Sequence, residues 1–317
     1  MSLALVNKNA LLLDRAAMLA AARTFFQERK VTEVDCPLVS ASASIDAHID
    51  LIPALDVSGK TRYLHSSPEY GMKRLLASGL GDIYQLSHVF RQGEQGMKHN
   101  PEFMMAEWYR LEKSFDFLIE ETVDFIRLFL GRLPRSILSY RELFQTFAGF
   151  DYLKADNRTL LSFLNKNGIE ACCDENANKD DLLNQILGTI IEPQLGKDEL
   201  TVLAYYPASQ AALAQTVWRG EEKVAERFEI YYKGLELCNG YHELADAAEQ
   251  RQRLIESNTA RQELGKNTLP IDENFLRALE EGLPECCGVA VGFDRLMMLR
   301  HEAAHISEVI PFDWDHA

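Results

Sequence analysis

The sequence predicts an α+β fold, sheet hairpins alternating with flanking helices, and three observations predict it. Residues 83–110, IYQLSHVFRQGEQGMKHNPEFMMAEWYR, place two apolar, aromatic-rich arms around a polar loop, the pattern of a long β-hairpin. Residues 288–299, GVAVGFDRLMML, run a strand of small residues directly into an apolar helix with Arg295 at its start. Residues 9–30 set Leu12, Ala16, Leu19 and Phe26 on one stripe of an amphipathic helix, with Asp14, Arg15, Arg23 and Glu28 on other faces.

Taken in order, that first helix is followed by a strand, VTEVDC, and Pro37. Residues 44–65 read as short strands around a Ser-Gly-Lys turn. SSPEYGMKRLLASG then opens a helix at Ser67 and Pro68, and Glu69 in its first turn suits the helix dipole as well as it would suit a cationic ligand. In the hairpin loop Arg91, Glu94, Lys98, His99 and Asn100 gather the charge, with Glu102, Glu107 and Arg110 on the returning arm. A planar guanidinium, an amide and an aromatic ring held together fit a phosphate and a purine, although a solvated hairpin tip uses the same residue types. A helix over 113–131 ends at Gly131. Arg127, Arg132, Arg135 and Arg141 then follow without an acid from 127 to 141, either a docking face for a protein or a solvated face with local pairs. Residues 150–199 form a helical insertion with no assigned chemistry.

Residues 201–216 continue as a strand, and 224–240 as two strands joined at Lys233-Gly234. Glu236 and Glu243 are seven apart, so a continuous strand would point them to opposite faces; a bend at Asn239-Gly240 is expected to bring both inward. Paired carboxylates beside phosphates suit Mg²⁺, which keeps its waters and needs one or two protein ligands. A long polar helix, 243–264, follows.

Asp and Glu number 48 against 33 Lys and Arg, a formal charge of −15, which repels nucleic acid at long range. The six cysteines have no metal-ligand spacing, so free thiols in a reducing cytosol are expected. No apolar run reaches the length of a membrane span, and Lys8, Asp14 and Arg15 interrupt the N-terminus against a signal peptide. No Pro/Gly/Ser linker divides the chain, so one domain over 1–317 is expected.

The FR of residues 90–91 with HNPEF at 99–103 and an aromatic-Arg end resembles motif 2 of the class II aminoacyl-tRNA synthetases, and G-x-A-x-G-x-D-R-L resembles their motif 3. SPEY at 67–70 and AERFEIYYKGLELCNGYHEL at 225–244 are similar to the lysyl branch, most closely to its stand-alone paralogues that attach (R)-β-lysine to a lysine of elongation factor P. The resemblance implies a catalytic core with an antiparallel β-sheet flanked by helices, and a homodimer built through the first helix, strand and Pro37. Fewer than about ten residues precede that helix, no room for the five-strand anticodon-binding barrel of a lysyl-tRNA synthetase, so no tRNA partner is expected.

By the same resemblance the cytoplasmic enzyme uses ATP and Mg²⁺ to make an amino-acid adenylate that an ε-amino group then attacks. Arg91 would meet the α-phosphate and Arg295 the γ-phosphate. Gln92, Gly93, Asn100, Phe103, Glu236, Leu237 and Gly292 would hold the nucleotide, Glu236 and Glu243 the metal, and Ser67, Pro68, Glu69, Tyr109, Asn239, Glu243 and Ala290 the amino acid. Two departures stand out. Gln92-Gly93-Glu94 lacks the usual carboxylate that reads the adenine amino group, leaving Glu94 by a one-residue shift or the Gly93 backbone. Ala290 replaces the glycine of lysyl-tRNA synthetases, either one methyl that selects a lysine isomer or simple drift. A truncated synthetase using L-lysine and a catalytically silent regulatory paralogue are the competing readings.

Overall fold

The computed structural model describes residues 3–317. Helix α1 (Leu3–Glu28) leads to the short strands β1 (Thr32–Glu33) and β2 (Val39–Ser40), then β3 (Pro53–Leu55), β4 (Thr61–Leu64) and helix α2 (Glu69–Ala77). The hairpin strands β5 (Ile83–Phe90) and β6 (Glu102–Leu111) precede α3 (Phe115–Leu130). Next come β7 (Arg135–Ser139), α4 (Tyr140–Phe147), α5 (Asn157–Lys166), α6 (Lys179–Ile186), β8 (Leu200–Pro207), β9 (Thr216–Arg219), β10 (Glu222–Tyr232) and β11 (Leu235–His242). Helices α7 (Ala247–Glu263) and α8 (Glu273–Gly282), strand β12 (Cys286–Gly292) and helix α9 (Phe293–Arg300) follow. These elements form two compact units, one reaching Gly131 and resuming at Glu243–Ala317, the other Arg132–His242.

In the first unit β5, β6 and β12 pair antiparallel, with β1 added parallel to β5. Strand alternation sends Tyr84 and Trp108 to one face, where the Phe26 ring of α1 stacks on Tyr84 at 4.1 Å and the α3 ring Phe125 lies 5.2 Å from Trp108. This apolar face is therefore closed by α1 and α3, leaving the opposite face for polar residues. Ser114 caps α3 by accepting the Phe117 N–H at 3.1 Å, and Gly131 ends it at φ +78°, a conformation that favours glycine. Arg15 of α1 forms a buried ion pair with Asp294 of α9, whose second oxygen accepts the Met104 N–H at 2.8 Å. A small antiparallel sheet, β2-β4-β3, carries the expected Ser-Gly-Lys turn, where Asp56 accepts the backbone N–H of Ser58 and Lys60.

The second unit orders its strands β11-β10-β8-β7, with β9 beside β10; β7 and β8 are parallel and the other pairs antiparallel. Its own core gathers Tyr140, Phe144, Leu160, Leu183, Tyr206 and Tyr231. The β10–β11 turn falls at Lys233 (φ 50°) and Gly234 (φ 68°), as the sequence predicts. The expected bend at Asn239-Gly240 is not there: β11 runs through it, and the register shifts instead between Ile230 and Tyr231, opposite Glu236–Cys238. One extra residue on β11 reverses the alternation, so Glu236 and Asn239, three apart, share a face opposite Tyr231 and Glu229. Of the arginine stretch, Arg127 lies in α3 of the first unit, paired to Asp124 at 3.4 Å, whereas Arg135 begins β7 and Arg141 lies at the start of α4, paired to Asp151 at 2.5 Å. All six cysteines are free thiols.

Candidate active site

The polar face of the first unit's sheet follows from the same alternation that buries Trp108: its neighbours Glu107 and Tyr109 point the other way. Across the ladder Gly288 pairs with Tyr109, Ala290 with Glu107 and Gly292 with Met105, so β12 lays a lane of small residues beside them. A Cβ at Gly288 would meet Glu243 Oε1 at 2.5 Å, so glycine there makes room for that carboxylate. Ala290 and Gly292 are the partly exposed positions of an otherwise buried strand.

At the mouth of α2 the Ser67 hydroxyl accepts the Glu69 N–H at 3.0 Å and donates to Glu107 Oε2 at 2.7 Å, while the Tyr109 hydroxyl donates to Glu107 Oε1 at 2.8 Å. Pro68 takes the position ahead of the helix, where its missing N–H costs nothing. One turn on, Lys73 Nζ lies 2.6 Å from Glu69 Oε1 and 2.6 Å from Glu243 Oε2. Two carboxylates thus face one ammonium. Burial, then the nearby charge of Glu69, pushes Glu107 up to about 8, so it holds its proton at neutral pH. Burial alone would weaken the Lys73 charge, but Glu243 and Glu69 outweigh it and hold the ammonium above its ordinary range.

At the other end, Arg91 lies 5.1 Å from the Phe103 ring and 3.6 Å from Glu94, with its buried Nε lacking any protein acceptor. Gln92 anchors its N–H on Asp50 O at 2.8 Å, and Gly93 turns the loop at φ +77°. Glycine in the place of the missing adenine-reading carboxylate thus serves the turn, and Glu94 is directed at Arg91. Arg295 lies 2.8 Å from His99 Nε2; partial desolvation and this guanidinium push the ring below the ordinary imidazole range. Asn100 is buried, its amide donating to Glu102 O at 2.6 Å and accepting the Trp314 N–H at 3.0 Å. The C-terminal segment also reaches the loop through Ile306 N–H to Met97 O at 2.8 Å and Gln95 to Asp315 at 2.6 Å.

The structure brings Ser67, Glu69, Tyr109, Glu243 and Ala290 together with two residues that sequence reasoning did not select, Lys73 and Glu107. Glu236, Leu237 and Asn239 belong to β11 of the second unit. There the Asn239 amide accepts from Arg227 at 3.2 Å and donates to Tyr241 at 2.8 Å, and the Leu237 side chain is buried, leaving its backbone to offer. Arg227 was likewise not selected; Lys73, four residues after Glu69, had the one visible signal, the i, i+4 spacing of a helical ion pair. Among the described residues no group of three His, Cys, Asp or Glu gathers to hold a metal.

The family model of the class II tRNA synthetases (D, K and N) matches residues 2–315. An elongation factor P--(R)-beta-lysine ligase of Haemophilus influenzae is 44% identical over 311 residues, 96% of this chain and 95% of that protein. The ligase of the same name from Klebsiella pneumoniae is also 44% identical, over 96% and 95%, and that of Haemophilus ducreyi 43%, over 96% and 94%. The chain belongs to the class II tRNA synthetase family of the D, K and N type and, within it, to the group of the elongation factor P--(R)-beta-lysine ligases.

Proposed function

We propose that this chain is an ATP-dependent ligase that activates (R)-β-lysine as an adenylate and transfers it to the ε-amino group of a specific lysine on elongation factor P. The observation that carries the reading is the buried pair Glu69 and Glu243 held on the Lys73 ammonium, with Glu107 joined to the same pocket through Ser67 and Tyr109. With Glu107 holding its proton, two carboxylates against one ammonium leave one negative charge in excess, which the ammonium of an incoming amino acid balances. The names of the 43–44% identical relatives supply the isomer and the acceptor protein.

In the first step the substrate carboxylate attacks the α-phosphorus of ATP, an oxygen–phosphorus bond forms, and pyrophosphate leaves. The protein's part is positioning and charge neutralisation. Arg91, with a buried Nε lacking a protein acceptor, fits the α-phosphate, and Arg295 the γ-phosphate. Phe103 stacks on the adenine, with Gln92, Gly93 and Asn100 around it, and Gly292 permits close approach of its strand. Ser67, Pro68, Tyr109 and Ala290 complete the amino-acid pocket. In the second step the acceptor's ε-amine attacks the acyl carbon and AMP leaves.

Mg²⁺ bound to the phosphates supplies further charge neutralisation. With Glu243 buried and paired to Lys73, Glu236 is the carboxylate that fits it. No described helix is long and apolar enough to cross a membrane, and with six free thiols this supports a cytoplasmic enzyme. We infer further a homodimer through α1 and Pro37, both units acting as one catalytic domain over 1–317 with its helical insertion at about 150–199, and no tRNA partner.

The test is amino-acid-dependent ATP–pyrophosphate exchange on purified protein without tRNA, comparing (R)-β-lysine with L-lysine, followed by the mass of elongation factor P after incubation. Preference for the β isomer and a one-residue mass gain support the reading. Preference for L-lysine replaces it with a truncated synthetase, and no exchange with either replaces it with a silent paralogue.

A further inference from the structure

Lys73 has no solvent-exposed surface. Its stem follows Glu69 by one helical turn, and its ammonium lies 5.9 Å from the Phe275 ring, on which Tyr70 stacks at 4.2 Å. The two carboxylates it joins come from different parts of the first unit: Glu69 from α2, and Glu243 from the segment before α7, whose N–H is tied to Cys286 O at 3.0 Å. Two oxygens each 2.6 Å from one nitrogen are at most 2 × 2.6 = 5.2 Å apart. Without a cation between them, like charges that close repel one another.

We propose that Lys73 is a positioning residue for the amino-acid substrate: its ammonium, 2.6 Å from Glu69 and 2.6 Å from Glu243, offsets their mutual repulsion and holds them at a set spacing, so the arriving substrate ammonium meets two carboxylates already aimed. The inference rests on reading this pocket as the amino-acid site. The other titratable groups around it do not do the same work. Glu107 accepts the hydroxyls of Ser67 and Tyr109 and has no ion pair with Lys73 among the described residues. The Tyr70 and Tyr109 hydroxyls and the Cys36 and Cys286 thiols are pushed up by burial first and stay neutral, and Asp272 caps α8 by accepting the Phe275 N–H at 3.0 Å.

The experiment is pyrophosphate exchange by wild type, Lys73→Met and Lys73→Arg, with KM for (R)-β-lysine and for ATP measured separately. Lys73→Met is expected to raise the β-lysine KM about thirtyfold or more, with the ATP KM within about twofold. Lys73→Arg keeps a cation between the two carboxylates, so it should recover most of that loss, with a β-lysine KM raised only several-fold by the larger head group. A folded Lys73→Met protein with unchanged β-lysine KM, or with the KM for β-lysine and for ATP raised alike, overturns the proposal. If Lys73→Met does not fold, Lys73→Arg decides: an unchanged β-lysine KM, or an ATP KM raised as much, overturns it. Wild type that exchanges with neither lysine isomer sinks the amino-acid reading of the pocket instead, an outcome read before any variant is compared.

Discussion

Ala290 stands opposite Glu107 in the β6–β12 ladder and reaches accessible surface in a strand that is otherwise buried. One methyl there discriminates by about 1–3 kcal/mol. Ala290→Gly is therefore expected to lower the preference for (R)-β-lysine over L-lysine about ten- to two-hundred-fold in kcat/KM ratios, measured by exchange with each isomer. Glu107 gives a prediction in stability. Its native-state value of about 8 lies above the ordinary 4.5, so the folded protein keeps a proton that the unfolded chain loses between those values. Ligand-free protein should thus lose stability as pH rises from 4.5 through about 8. Glu107→Gln should remove that part of the slope in urea or thermal melts, and melts in which the two proteins fall in parallel would contradict it. Glu69, Tyr109 and Glu243 were legible because motif spacing marks them. Lys73 and Glu107 were not, because their roles arise from burial and from partners on other elements, which a residue list does not contain.

At the scale of elements, the motif 2 loop is held from outside itself. The Trp314 N–H and the Asp315 carboxylate bond to Asn100 and Gln95, two positions of the loop that follows Arg91. Removing residues 312–317 deletes both bonds, each worth about 0.5–1.5 kcal/mol net. The expected result is an ATP KM raised about fivefold to a hundred-and-fiftyfold with the β-lysine KM little changed, measured by exchange. Local punctuation made several elements legible: Gly131 ends α3, and Lys233-Gly234 turns β10 into β11. β7 and the start of α4 were hidden because RSILS is only five residues long and passes directly into the helix, while Ser139, which caps α4 with Glu142, was the available signal. The β11 irregularity was misplaced because Asn-Gly is a strong turn pair, yet the ladder absorbs its extra residue by a bulge near Leu237.

The whole molecule carries a formal charge of −15, opposite in effect to what an RNA-binding surface needs. Added bulk tRNA should neither stimulate nor inhibit β-lysine-dependent exchange at physiological salt; stimulation would restore tRNA to the list of partners. The α+β class was legible from periodicity and turn residues alone. The division at Gly131 and Glu243 was not, because no linker composition marks it. The backbone attachment of Trp314 to Asn100 has a further consequence, an optical one. Of the three indoles, Trp108 is sealed in the core, Trp218 lies on β9 of the second unit, and Trp314 sits 45% exposed on the segment that holds the loop. Nucleotide that tightens this loop should shift or quench the emission of Trp314, and Trp314→Phe should abolish the change, so the unlabelled protein reports its own ATP occupancy.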